Sequence, residues 1–185
     1  MQELTRKLIH LVFGLGITGM LVVLDSATAT AILAGGLFFG IILVDLILRG
    51  YRLPVFSALV KYVDRCDHLP GKGALYFAIS ALACVILFSK PVVIPALVSL
   101  AVLDGIATIA GTRFGRNRIY NGKSLEGTIA AIIVTFLVLL QVMPVPGALV
   151  VAVSAGIIEM FSPVDDYLVI SISICILLTA VPVLL

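Results

Sequence analysis

Seven predominantly apolar stretches, at about 8–24, 27–48, 73–89, 91–112, 127–144, 146–162 and 167–184, occupy most of this 185-residue chain. A transmembrane helix needs roughly 20 apolar residues. None of these runs alternates apolar with polar residues, as a strand of a membrane barrel does. Helices then satisfy every backbone N–H and C=O within the segment itself, which lipid demands. Composition agrees: 62% of residues are hydrophobic and 12% charged, against about 25% charged in an ordinary soluble domain. The expected fold is all-α, a polytopic membrane bundle of about seven transmembrane helices. Little length remains for an extramembrane domain, so residues 1–185 read as a single integral membrane domain.

The charges sort by side. Arg6, Lys7, Arg49, Arg52, Lys61, Arg65, Lys72, Arg113, Arg116, Arg118 and Lys123 fall between or before spans that would share one face, and Lys90 falls on the other. The excess of Lys and Arg in cytoplasmic loops places the N-terminus inside and, after seven spans, the C-terminus outside. Asp165 and Asp166 also land inside. The Arg6-Lys7 start with Ala27-Thr28-Ala29 downstream has the outline of a signal peptide, but the charge pattern works with the first span retained. Three cysteines, Cys66, Cys84 and Cys175, have neither disulfide-frame nor metal-site spacing.

Two polar stretches interrupt the apolar pattern. In 49–72, Phe56, Leu59, Val60, Val63 and Cys66 follow helical spacing, with Ser57, Lys61, Asp64, Arg65 and Asp67 opposite. Pro54 opens and Pro70-Gly71 closes this segment, which reads as a short amphipathic helix on the inner membrane surface. It either guides a lipid substrate or simply connects two spans. The second stretch, 113–126, carries Gly122-Lys123-Ser124 directly into a helix at about 125.

The residues that can carry chemistry gather at the inner face. Asp104 lies about eight residues from the inner end of span four, roughly 12 Å deep at 1.5 Å per residue. An ionisable group at that depth is costly and marks function by default. Gly105, Gly111 and Gly115 flank it and permit close approach of a phosphate or a break in the helix. Lys123 and Ser124 at a helix start combine backbone N–H groups, a helix dipole and a cation, which suit phosphate. This is not a P-loop, because Asn117 stands where the first glycine would be and a membrane helix precedes where a strand is required. Arg113, Arg116 and Arg118 either add to a phosphate site or serve topology. Glu126 complements the helix dipole. Glu159 sits inside an apolar run at the inner end of span six, with Asp165 and Asp166 in the next loop, and such carboxylates can hold Mg²⁺ together with substrate phosphates. Lys7 and His10 share a helix face at three-residue spacing, and His10 is either a general base or an interfacial polar residue. A transporter would gather such groups near the bilayer midplane. Here they sit at one surface, as an enzyme joining a cytoplasmic phosphate compound to a membrane lipid requires.

Arg6-Lys7-Leu-Ile-His10, Leu103-Asp104-Gly105 through Gly111 to Gly115, Gly122-Lys123-Ser124-Leu-Glu126-Gly127-Thr128, Glu159, and Pro163-Val-Asp165-Asp166 together resemble the family of dolichol kinases, phytol kinases and CTP-dependent diacylglycerol kinases. The resemblance covers nearly the whole chain, in family order. Its central pair of motifs is shared with phosphatidate cytidylyltransferases, whose basic, aspartate-rich C-terminal signature is missing here. Tyr167 stands where the family usually has asparagine. The resemblance implies transfer of the γ-phosphate of CTP to the hydroxyl of a polyprenol, phytol-like or diacylglycerol-type lipid, with Mg²⁺ on Asp104 helped by Asp165 or Asp166. It implies nucleotide contacts from Lys7, Gly105, Gly111, Arg113, Gly115, Gly122, Lys123, Ser124, Glu126 and Gly127, and a base among His10, Glu159, Asp165 and Asp166. The expected partners are CTP, a membrane lipid alcohol and the bilayer, with no nucleic acid. A cytidylyltransferase making a CDP-lipid and a transporter are the alternative readings. The sequence leaves oligomeric state open.

Overall fold

A computed structural model describes residues 2–51, 71–120, 123–162 and 166–185. The amphipathic segment expected within 49–72 falls mainly outside the described residues, as do Gly122 and Asp165. The described residues form seven α-helices: α1 (Gln2–Val23), α2 (Ser26–Leu48), α3 (Lys72–Leu87), α4 (Lys90–Phe114), α5 (Leu125–Leu139), α6 (Val145–Phe161) and α7 (Asp166–Ala180). A 3-10 turn (Pro182–Leu184) follows. Two short strands, β1 (Arg118–Tyr120) and β2 (Lys123–Ser124), pair antiparallel with an irregular register between α4 and α5.

The fold is all-α, as expected, and its helices follow the seven apolar stretches. Their lengths differ from the expectation. Among the described residues, α2 and α4 are the helices long and apolar enough to cross a membrane, with hydropathies of 2.5 and 2.2, while the other apolar helical segments are 10–17 residues long. The shortening comes from local breakers that hydropathy alone overlooks. The run read as 127–144 stops being α-helical at Leu139 and turns through Leu140–Met143 before Pro144. Likewise α3 ends at Leu87, where Phe88 turns extended and Ser89-Lys90-Pro91 start α4. At the start of α2, Asp25 is the N-cap and accepts the Thr28 N–H at 2.9 Å, as short acceptors do at that position.

Helix α4 is the centre of the bundle and packs against α5, α1, α7 and α6. Leu97, Leu100 and Leu103 on it are fully buried. By contrast α2 is exposed along most of its length. Ile129, Ile133 and Leu137 on α5, and Leu149, Val153 and Ile157 on α6, are all exposed. Each trio is spaced four residues apart and so forms an outward apolar stripe. Stripes of this kind mark a surface that meets lipid or another protein. The two ends of the bundle differ. Lys7, Lys72, Arg113, Arg116, Arg118 and Lys123 lie at the end formed by the starts of α1, α3 and α5 and the end of α4. Lys90 lies at the other, where it donates to the Leu24 carbonyl at the end of α1.

Candidate functional site

The Lys-rich end of the bundle holds two polar centres strung along α4. The first is Asp104. Lys7, buried near the start of α1, places its Nζ 2.5 Å from Asp104 Oδ1, and both side chains are largely covered. The Tyr167 hydroxyl, at the start of α7, donates to Asp104 Oδ2 at 3.1 Å. A carboxylate in an apolar bundle is tolerable only when paired and hydrogen-bonded, and each of its oxygens here has a donor from a different helix. The Tyr167 ring is itself fixed. It packs edge-on to Phe77 of α3, centroids 6.3 Å apart at 74°, and Phe77 packs edge-on to Phe13 of α1 at 6.3 Å and 68°. The Tyr167 carbonyl accepts from Ser80 at 2.9 Å and from Ser171 at 2.8 Å.

The second centre is the start of α5. Lys123 Nζ lies 3.1 Å from Glu159 Oε1 and also donates to the Glu159 backbone carbonyl at the end of α6. A cation at a helix C-terminus is favoured by the exposed carbonyls there. Thr128 reaches the other Glu159 oxygen at 3.4 Å. Glu159 is buried and serves as the tether of Lys123. Ser124 is the N-cap of α5 and accepts the Gly127 N–H at 3.2 Å, while the Leu125 N–H donates to the Asn117 carbonyl at 3.0 Å. The backbone N–H groups expected to be open to phosphate at this helix start are therefore partly occupied by the chain itself. Glu126 reaches back over the hairpin: it accepts the backbone N–H groups of Arg116 and Asn117, each at 3.1 Å, and the Asn117 amide at 2.9 Å. Its own backbone N–H and those of Asn117 and Arg116 hold its carboxyl below the ordinary range. Glu126 is thus the clasp of the loop as well as a dipole complement.

Asp104, Ala107 and Gly111 occupy one face of α4 at helical spacing, and Asp104 and Gly111 are about 10 Å apart along its axis. Of the glycines expected to contact nucleotide, Gly111, Gly115 and Gly127 lie at close helix and loop contacts here. A Cβ on Gly127 would sit 2.7 Å from the Ala107 carbonyl oxygen and 2.8 Å from Gly111 Cα. One on Gly115 would press into the Gly111 carbonyl and the Ser124 hydroxyl, and one on Gly111 would sit 3.0 Å from the Ser124 hydroxyl. Gly105 meets Leu11 of α1 at ordinary contact distance. His10, one turn beyond Lys7 on α1, lays its ring against Gly73 at the start of α3. Arg113, Arg116 and Arg118 are exposed at the rim. Asp166 opens α7, one residue before Tyr167.

Sequence reading brought together Asp104, Lys7, Lys123 and Glu159 at one face but missed who pairs with whom. It missed Tyr167 as a donor to Asp104, Thr128 as a donor to Glu159, and Asn117 as the partner of Glu126. Opposite charges at similar depth, Lys7 and Asp104, were the available signal for the first pair. Among the described residues no group of three or more His, Cys, Asp or Glu is clustered for a metal. Asp104 nonetheless fits Mg²⁺ as a single carboxylate. A carboxylate has about four lone-pair sites, Lys7 and Tyr167 use two, and Mg²⁺ commonly takes one or two carboxylates with substrate phosphates and water completing its shell.

The chain is 37% identical over 160 residues to an uncharacterized protein of Methanocaldococcus jannaschii, covering 85% of this chain and 81% of that one. It is 30% identical over 142 residues to a probable phytol kinase of Oryza sativa subsp. japonica and 31% identical over 144 residues to a farnesol kinase of Arabidopsis thaliana, both described as chloroplastic. Each of these two alignments covers 74% of this chain and 46% of the plant protein, so the chain spans just under half the length of those kinases. No family model matches, and no solved structure matches significantly. The matches to the plant kinases support a polyprenol or phytol kinase-like family.

Proposed function

We infer that this chain, which belongs to one family with the Methanocaldococcus jannaschii protein, is a membrane-embedded kinase that moves the γ-phosphate of CTP to the hydroxyl of a lipid alcohol. The observation that carries the reading is Asp104, held between Lys7 and Tyr167 in the middle helix at the same end of the bundle as Lys123 and the loop it anchors. The kinship with phytol and farnesol kinases supports a lipid-alcohol acceptor. Outward apolar stripes on α5 and α6 and the apolar length of α2 and α4 support an integral membrane placement, and the basic residues at the site's end support a cytoplasmic N-terminus and active site with the C-terminus outside.

In the reaction, the bond between the γ-phosphorus and its bridging oxygen to the β-phosphate breaks, the lipid oxygen bonds to that phosphorus, its proton passes to a base, and CDP leaves. Phosphoryl transfer asks a protein chiefly for positioning and charge stabilisation. Lys123 and Lys7 supply cations for phosphate oxygens, with the rim arginines drawing the nucleotide in. Asp104 would hold Mg²⁺, which would supply charge neutralisation for the phosphates. His10 is the preferred base: Glu159 is occupied by Lys123 and Thr128, whereas His10 lies on the same α1 face as Lys7, against the start of α3. Asp165, outside the described residues, and Asp166, at the first position of α7, are further candidates by sequence.

The test is direct. The purified 185-residue chain in lipid nanodiscs is supplied with CTP, Mg²⁺ and, in turn, a polyprenol, a phytol-like alcohol and a diacylglycerol. A lipid phosphate is expected from one or more of them, with CDP formed in equal amount. Failure of every acceptor with CTP, UTP and ATP alike would overturn the reading.

A further inference from the structure

We propose that Tyr167 is the positioning residue of the Asp104 carboxylate, fixing its plane so that the remaining lone pairs face the phosphate-binding end of the bundle. This rests on the kinase reading for its kinetic consequence, though not for its geometry. Lys7 holds one carboxylate oxygen from α1 and the Tyr167 hydroxyl holds the other from α7. An aspartate held by a lysine alone can rotate about its terminal bond, because a single ammonium has no preferred plane. A second donor on the other oxygen removes that freedom. Tyr167 is suited to the task because everything except its hydroxyl is already committed. Its ring is wedged edge-on against Phe77, and its carbonyl is taken by Ser80 and Ser171. The hydroxyl position is therefore set by packing among α1, α3 and α7 and does not depend on Asp104. Once a nucleotide draws Lys7 towards its phosphates, Tyr167 is the donor that keeps Asp104 oriented. Partners that orient a metal-binding carboxylate commonly account for 10–100-fold in metal affinity or activity.

Tyr167→Phe removes the hydroxyl and keeps the ring. Its melting temperature in detergent should fall only slightly, since one hydrogen bond to Asp104 is lost while the Lys7 ion pair, the contact with Phe77 and the backbone bonds remain. In the lipid-phosphorylation assay, kcat is expected to fall about 10–100-fold. The Mg²⁺ concentration for half-maximal rate should rise by a similar factor, with KM for the lipid alcohol unchanged. A role in packing alone would lower stability or raise KM for lipid and leave the Mg²⁺ requirement alone. A second readout needs no turnover. Infrared difference spectra against Asp104→Asn isolate the Asp104 carboxylate stretch, and Tyr167→Phe should shift that band in the resting protein. An unshifted band, or an active parent with Tyr167→Phe of equal kcat and Mg²⁺ dependence, would overturn the proposal. A shifted band in a parent that phosphorylates no lipid would uphold the positioning and reject the kinase reading.

Discussion

Asp104→Asn is expected to lower turnover by about a thousandfold or more, because it removes the one charge around which the site is built. The side chain keeps its shape, so what changes is electrostatic. An amide presents one acceptor oxygen where the carboxylate presents two, and it cannot neutralise either Mg²⁺ or the Lys7 ammonium 2.5 Å away. From the sequence alone this substitution looks benign for folding, since it relieves a buried charge. The structure changes that expectation. Lys7 is buried opposite Asp104, and removing one partner of a buried pair typically costs about 3–5 kcal/mol because the other charge is left uncompensated. Part of that cost is relieved if Lys7 extends along α1 towards the headgroups. Pairing the substitution with Lys7→Met separates the two effects. The double variant should regain the melting temperature of the parent and remain inactive. Near-parental turnover in Asp104→Asn would mean that the deep carboxylate is structural.

Gly127→Val should have the next largest effect, by a different route. Gly127 lies in the first turn of α5, where alanine would ordinarily be favoured over glycine by roughly 0.5–1 kcal/mol. Here any Cβ would lie 2.7–2.9 Å from the Ala107 carbonyl and the backbone of Gly111. Those atoms belong to the backbone of the C-terminal third of α4 and cannot turn aside as a flexible side chain can. The helices must separate, and overpacking of this kind costs at least about 1–3 kcal/mol. The displacement acts on the loop that carries Lys123 and Ser124, and misplacement by about 1 Å costs on the order of a hundredfold in rate. Gly127→Ala should show both losses to a smaller degree. A valine variant with parental stability and turnover would contradict the close α4–α5 crossing at Gly127.

The sequence made the helices and the polar face readable for the same reason: apolar runs and charges obey the bilayer's demands one residue at a time. Lengths were harder. Leu140–Met143, with Gln141 as its single polar residue, forms a turn, and hydropathy averaged over a span does not distinguish such a turn from another turn of helix. The site residues Asp104, Lys7, Lys123 and Glu159 stood out because charges in apolar runs are rare. Their partners did not, because pairing depends on how helices distant in sequence cross. Tyr167 meets Asp104 across 63 positions and Lys7 meets it across 97. The glycines illustrate the limit. Gly111, Gly115 and Gly127 suit a phosphate cradle and a tight helix crossing equally well as letters, and only the crossing of α4 with α5 shows them filled by helix contact.

The position of label in the product tests the central claim most directly. A kinase attacks the γ-phosphate of CTP with a free hydroxyl, whereas a cytidylyltransferase attacks the α-phosphate with a lipid that is already phosphorylated and releases pyrophosphate. Both cradle a triphosphate, but only the neutral alcohol needs a base to take its proton, and His10 lies at the required end of the bundle. With CTP labelled at the γ-position and an unphosphorylated lipid alcohol as acceptor, label is expected in the lipid fraction, and label at the α-position should remain in CDP. Lipid carrying the α-label, formed only from a phosphorylated acceptor and accompanied by pyrophosphate, would contradict the kinase assignment.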